Sequence, residues 1–163
     1  MRRALALIGA IAVGCDASPP AMVILPPSKP AQPRVVDPSV ALQPAHVVIQ
    51  HILIAFKGTL SHPREVTRTK EEAEKLAKIL FERAKKGENF SSLTLSFSDD
   101  TWDGIYPMYN LNAEPIGAEE FPRDGMVPSF GDVAFSLKVG EIGMAEFHPE
   151  KSKFGWHIIK RLR

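Results

Sequence analysis

The sequence predicts an α+β domain, a small and mainly antiparallel four-stranded sheet flanked by three or more helices, behind an N-terminal region with no packed core. Three observations predict it. The stretches Val47-Val-Ile-Gln-His-Ile-Leu-Ile54 and Phe154-Gly-Trp-His-Ile-Ile-Lys-Arg-Leu-Arg163 are apolar, β-branched and more than a hundred positions apart, and both read as strands. Between them lie segments whose apolar residues recur at helical spacing. Ahead of them, residues 16–45 hold eight of the fourteen prolines, which removes ladder donors and leaves a semi-extended tether.

The first strand runs from about Val47 to Ile54 and ends at Phe56-Lys-Gly58. A polar loop carrying Lys57, His62, Arg64 and Arg68 follows. Thr69-Lys-Glu-Glu72 is a capping box, and Ala73, Leu76, Ala77, Leu80 and Ala84 then mark one face of a helix that Gly87 closes. Glu71 and Lys75, and Glu74 and Lys78, sit four apart on its solvent face. Phe90, Leu93 and Phe97 predict a second, short helix ended by Ser98-Asp-Asp100. Residues 101–124 show no clear period and are given only a weak strand. Pro128 opens a third helix with Phe130, Val133, Ala134 and Leu137 on its face, and Val139-Gly140 breaks it. A strand at about Gly143 to Phe147 and a turn through His148-Pro-Glu-Lys-Ser152 lead to the last strand.

Side chains alternate faces along a strand, so His51 shares a face with Ile49 and Leu53, and His157 shares one with Ile159. Each imidazole therefore points where apolar residues point. If the two strands are neighbours, the rings converge on one buried spot.

At the N-terminus, Arg2-Arg3, an apolar run from Ala4 to Val13 and Gly14-Cys15 have the layout of a secretory signal, too short to span a bilayer. Ala12-Val-Gly-Cys15 resembles a bacterial lipobox, which makes Cys15 the lipidated residue. The expected organisation is a signal peptide over 1–14, a lipidated proline-rich tether over 15–45 and a folded domain over 46–163.

Seven motifs carry a family resemblance: Gln50-His-Ile-Leu-Ile54, Thr67-Arg-Thr-Lys-Glu-Glu-Ala73, Gly87-Glu-Asn-Phe90, Phe97-Ser-Asp-Asp100, Gly125-Met-Val-Pro-Ser-Phe130, Ala134-Phe-Ser-Leu-Lys-Val-Gly-Glu141 and Phe154-Gly-Trp-His-Ile-Ile159. In order and spacing they resemble the parvulin family of peptidyl-prolyl cis-trans isomerases, over residues 46–163. The chain departs from the family where a Gly-Gly-Asp-Leu-Gly strand is usual and Ala113-Glu-Pro-Ile-Gly117 stands instead.

The resemblance implies a parvulin-like fold and rotation about X-Pro amides, whose two isomers are separated by roughly 20 kcal/mol. No bond is made or broken, so an apolar pocket and one or two oriented polar groups suffice, with no cofactor and no metal. It places Met126 and Phe130 on the pocket floor with Ile116 as a wall, pairs His51 with His157, sets Ser152 beside them, and puts Asp100 at the reacting amide. Clients would be unfolded or partly folded exported polypeptides containing X-Pro bonds, met by a monomer held to the cell envelope by its lipid alone. Lys57, His62, Arg64 and Arg68 read as a solvated basic loop that is also able to meet an acidic residue before proline.

With one cysteine, an intramolecular disulfide or thiolate cluster is excluded. The spacings of His51, His62, His148, His157 and Asp100 match no zinc pattern. Formal charge is +1, and the chain from residue 15 onward carries 18 basic against 19 acidic groups, which argues against nucleic acid. A second class of function remains open: a non-catalytic, peptide-binding chaperone of the same fold, favoured by Trp102, Tyr106 and Tyr109 in the atypical 101–124 stretch.

Overall fold

A computed structural model describes residues 40, 42–60, 66–100 and 103–163. The expected signal, Cys15, most of the expected tether, His62, Arg64 and Trp102 lie outside the described residues. In chain order the elements are β1 (His46–Ile54), α1 (Lys70–Lys85), α2 (Phe90–Phe97), β2 (Ile105–Tyr109), β3 (Phe121–Pro122), a 3-10 turn (Arg123–Gly125), α3 (Pro128–Ser136), β4 (Ile142–Ala145) and β5 (Trp156–Arg161).

The sheet has five strands in the order β3-β2-β1-β5-β4, one more than the sequence predicts. The addition is the two-residue β3, which pairs parallel to β2 at Met108 and Tyr109, while every other pairing is antiparallel. β1 is the central strand and β5 its neighbour, so the two histidine-bearing strands adjoin.

Alternation along β1 and β5 gives the sheet two apolar faces. Ile52, Ile54, Trp156 and Ile158 meet Ala73, Ala77, Leu80 and Ala84 of α1 and Phe90 and Leu93 of α2. Val47, Ile49 and Ile159, on the opposite face, meet Phe130, Ala134 and Phe135 of α3. Small residues along α1 let its backbone approach the sheet closely. The helix starts where the capping box predicts: the Thr69 hydroxyl accepts the Glu72 N–H, and the Glu72 carboxylate accepts the Thr69 N–H.

The strand of the 101–124 region lies at Ile105–Tyr109, ahead of the Ala113–Gly117 position that the resemblance suggested. Its partner is β1, in the register Ile49↔Tyr106 and Val47↔Met108. Gly104 makes this approach possible. It has φ of +74°, and a Cβ there would lie 2.4 Å from the His51 carbonyl oxygen.

Candidate active site

His51 and His157 stand on the α3-covered face of the sheet, both almost fully buried. The β1–β5 register sets His51 opposite Ile159 and His157 opposite Leu53, so the imidazoles are diagonal neighbours on one face. Their rings lie 5.5 Å apart at 26°, and the two Nδ1 atoms are 3.4 Å apart.

Asp100 is brought to them by the segment that leaves α2. That segment runs beside the end of β1, where the Asp99 N–H donates to the Leu53 carbonyl (2.8 Å) and the Leu53 and Ala55 N–H groups donate to Ser98 Oγ (3.1 Å) and Asp99 Oδ2 (2.8 Å). Arg68 closes over it, bonded to the Asp99 carboxylate and to the Ala55 carbonyl. Arg68 is thus committed to holding β1 and the Asp100 segment together, rather than standing free in a basic loop. Lys57 remains exposed.

So fixed, Asp100 Oδ2 lies 2.9 Å from His51 Nε2 and 2.9 Å from the hydroxyl of Tyr106 on β2. An ionised carboxylate only accepts, so the arrangement that satisfies these contacts puts a proton on His51 Nε2 and leaves its Nδ1 as an acceptor for the His157 Nδ1–H. His157 Nε2 is then a bare lone pair, and it is a buried polar atom with no hydrogen-bond partner among the described residues. Burial drives the His157 pKa down to about 3, with the adjacent His51 adding to the shift. Asp100 pulls the other way and is outweighed. His157 is accordingly neutral. Burial, then the charge of Asp100 and the bond to it, raise the Tyr106 phenol above its ordinary value, so that hydroxyl keeps its proton.

Phe130 stacks edge-on against both imidazoles, at 5.1 Å from His51 and 5.2 Å from His157. A cleft of about 550 Å³ opens above them, with Met126, Val127, Pro128 and Phe130 on one wall and Leu53, Tyr106 and Phe154 among its other lining residues. Glu150 and Lys153 line it as well. Its walls are mostly apolar, with convergent polar groups of Asp100, His51 and His157, the composition of a small-segment binding site. Among the described residues no three His, Cys, Asp or Glu side chains gather as a metal site would need.

Two expected site residues lie elsewhere. Ile116 is 80 % exposed in the loop between β2 and β3, its N–H held by Glu120, and it does not line the cleft. Ser152 is buried in the turn before β5, where its hydroxyl donates to the Gly155 carbonyl instead of reaching an imidazole. Tyr106 was the residue sequence reasoning missed as part of the site. Its place depends on the β1–β2 register, which a five-residue strand interrupted by Pro107 does not announce.

A family model described as the PPIC-type PPIASE domain matches residues 38–162. The foldase protein PrsA of Caldanaerobacter subterraneus is 41 % identical over 87 residues, which cover 53 % of this chain and 24 % of that protein. The chaperone SurA of Pseudomonas aeruginosa is 34 % identical over 116 residues, 71 % of this chain and 23 % of its own length. The chain thus spans about a quarter of the length of these relatives. Among solved structures, the peptidyl-prolyl isomerase ESS1 from Candida albicans superposes with a TM-score of 0.55 at 25 % identity, covering 73 % of this chain and 63 % of that one. TbPIN1, at a TM-score of 0.53 and 24 % identity over 73 % of this chain and 98 % of its own, shares the fold.

Proposed function

The chain belongs to the PPIC-type (parvulin) peptidyl-prolyl isomerase family, and from that premise we propose that its cleft catalyses cis-trans isomerisation of X-Pro bonds in client polypeptides. The observation that carries the reading is the placement of Phe130 and Met126 over the His51, His157 and Asp100 group in one cleft. Planar amides are stabilised by resonance and are strongly dipolar. At the top of the rotational barrier that resonance is lost, and the prolyl nitrogen becomes pyramidal and more basic. An apolar wall that grips the proline ring favours the less dipolar, twisted form, and the Asp100–His51 pair supplies the oriented polarity beside it. The two imidazoles shape the floor and relay hydrogen bonding, with no covalent step.

The test is a protease-coupled or NMR-exchange assay on X-Pro peptides. Met126→Ala should chiefly raise KM. Asp100→Ala should chiefly lower kcat, by about 10-fold or more if it acts in the transition state. A folded wild-type chain that accelerates no X-Pro peptide overturns the reading.

A second reading, a client-holding module without turnover, is favoured by one feature. Beyond Tyr106 lies another mostly apolar hollow of about 480 Å³, lined by Ile105, Pro107, Glu119 and Phe121, with Ile105 and Phe121 each over 40 % exposed. That reading is supported if aggregation of an unfolded client is suppressed equally by the wild type and by Asp100→Ala. The leader from Arg2 to Cys15 supports action outside the cytoplasm, with Cys15 as the anchor point, and mass spectrometry of the mature N-terminus checks it.

A further inference from the structure

We propose that Tyr106 is a positioning residue of this site: its hydroxyl holds Asp100 Oδ2 and so fixes the direction in which hydrogen bonds run through Asp100, His51 and His157. The kinetic part of this inference rests on the isomerase reading, while the hydrogen-bond direction does not.

Tyr106 pairs with Ile49 across the β1–β2 ladder, which sets its side chain on the face that carries His51. Its ring meets His51 edge-on at 5.1 Å and leans on Phe121 at 5.3 Å, so the phenol is braced on two sides. The hydroxyl and His51 Nε2 both bind Asp100 Oδ2 at 2.9 Å. A carboxylate oxygen has two lone pairs in its plane, and these two donors fill them. The phenol keeps its proton, because burial and the Asp100 charge hold it on, so toward an ionised Asp100 it can only donate.

Two donors on one oxygen favour the ionised carboxylate. Ionised Asp100 requires the proton on His51 Nε2, which leaves His51 Nδ1 to accept from His157 Nδ1–H. Without the hydroxyl, Asp100 loses one donor and takes up a proton more readily. A protonated Asp100 can donate to His51 Nε2. His51 Nδ1–H would then donate to His157, and the direction of the whole chain would reverse.

Among the described residues, the charged and titratable groups facing Asp100 include His51 on β1, His157 on β5 and Tyr106 on β2. Around them, Asp99 is paired with Arg68, the Asp103 carboxylate accepts the Ile105 N–H, and Glu150 and Lys153 line the cleft. Among the described partners of Asp100 Oδ2, Tyr106 is the donor that cannot titrate near neutrality.

The test uses the full chain with ¹⁵N-labelled histidine, as wild type, Tyr106→Phe and Tyr106→Leu, with side-chain NMR from about pH 4 to 8. The wild type should show His51 protonated at Nε2 and His157 at Nδ1 at neutral pH. The opposite pattern in the wild type overturns the proposal, whatever the variants do. In Tyr106→Phe, which keeps the ring, the pH at which this pattern changes should rise by about one unit. In the peptide assay, its kcat should fall about 5-fold to 10-fold with KM within about twofold, and the acid limb of kcat/KM should move up with the NMR midpoint. If wild-type and Tyr106→Phe titrations superimpose, or if only Tyr106→Leu changes the kinetics and does so through KM, Tyr106 is a wall and the proposal is wrong. Absence of activity in the wild type would instead remove the isomerase reading and leave the NMR result to decide this one.

Discussion

His157 is neutral because the cost of desolvating its charged form exceeds the attraction of Asp100, and this makes stability depend on pH. Its pKa is about 3 in the fold and an ordinary 6.5 when the chain unfolds. Between those values the unfolded chain binds the extra proton, so stability rises with pH. The contribution is complete above about pH 6.5 and is lost as pH falls toward 3, by about 1.4 kcal/mol per unit. Urea unfolding at pH 7 and pH 5 should therefore show roughly 2 kcal/mol of pH-dependent loss that is absent from His157→Phe, which keeps a ring but cannot titrate. Equal losses in the two proteins would remove His157 as the source. At this scale, the inward facing of His51 and His157 was legible from alternation, because each keeps company with an apolar residue two positions away, while their pairing rested on the family resemblance. Asp100, Met126 and Phe130 came from the family resemblance. Ser152 and Ile116 were misplaced because spacing does not tell which way a turn or a loop directs a side chain.

Elements were legible in proportion to their length and to the strength of their end signals. The capping box at Thr69, the apolar spacing of α2 and Pro128 at the start of α3 each announced a helix that the structure contains. β2 was obscure because its position is set by pairing with β1 rather than by its own sequence. With Pro107 at its centre and only five residues, it has little intrinsic strand character. β3, at two residues, is a consequence of where β2 lies. The dependence of β2 on close approach gives a prediction. Gly104→Ala must relieve both an αL-region φ and an overlap with the β1 backbone, so it should cost at least about 2 kcal/mol. Because it would shift the β1–β2 contact that places Tyr106 at Asp100, isomerisation should fall further than Tyr106→Phe alone would lower it. Urea denaturation and the peptide assay on the same protein check both parts, and a variant with wild-type stability would show that β2 tolerates displacement.

For the molecule as a whole, the folded domain was expected over residues 46–163, and polar contacts tie residues 43–45 to it as well. Asn110, 1 % exposed at the end of β2, donates from its backbone to the Ala45 carbonyl and from its side chain to the Pro44 carbonyl. Arg123, 9 % exposed, donates to Gln43 Oε1 and Asn110 Oδ1, and its other amino group is paired with Asp132 of α3. Residues 43–45 thus supply acceptors to two buried groups that also tie β2, the 3-10 turn and α3 together. A proline-rich composition had hidden this, since periodicity registers apolar burial and is blind to backbone carbonyls used as acceptors. Val40, ahead of these residues, is buried as well. A chain beginning at His46 forfeits three of these hydrogen bonds. Water can replace part of the loss, because the cut also opens the site, so each bond is worth about 1 kcal/mol rather than the full cost of a buried unsatisfied group. The His46 chain should then melt several degrees below the full-length protein, while one beginning at Val35 should melt within a degree or two of it. Arg123→Leu in the full chain separates the clamp from simple loss of length. If the contacts at Gln43 and Pro44 stabilise the domain, the truncation should cost less in the Arg123→Leu background than in the wild type, since the Gln43 contact is already gone. Identical melting of the His46 and Val35 chains would show that residues 43–45 rest on the domain without stabilising it.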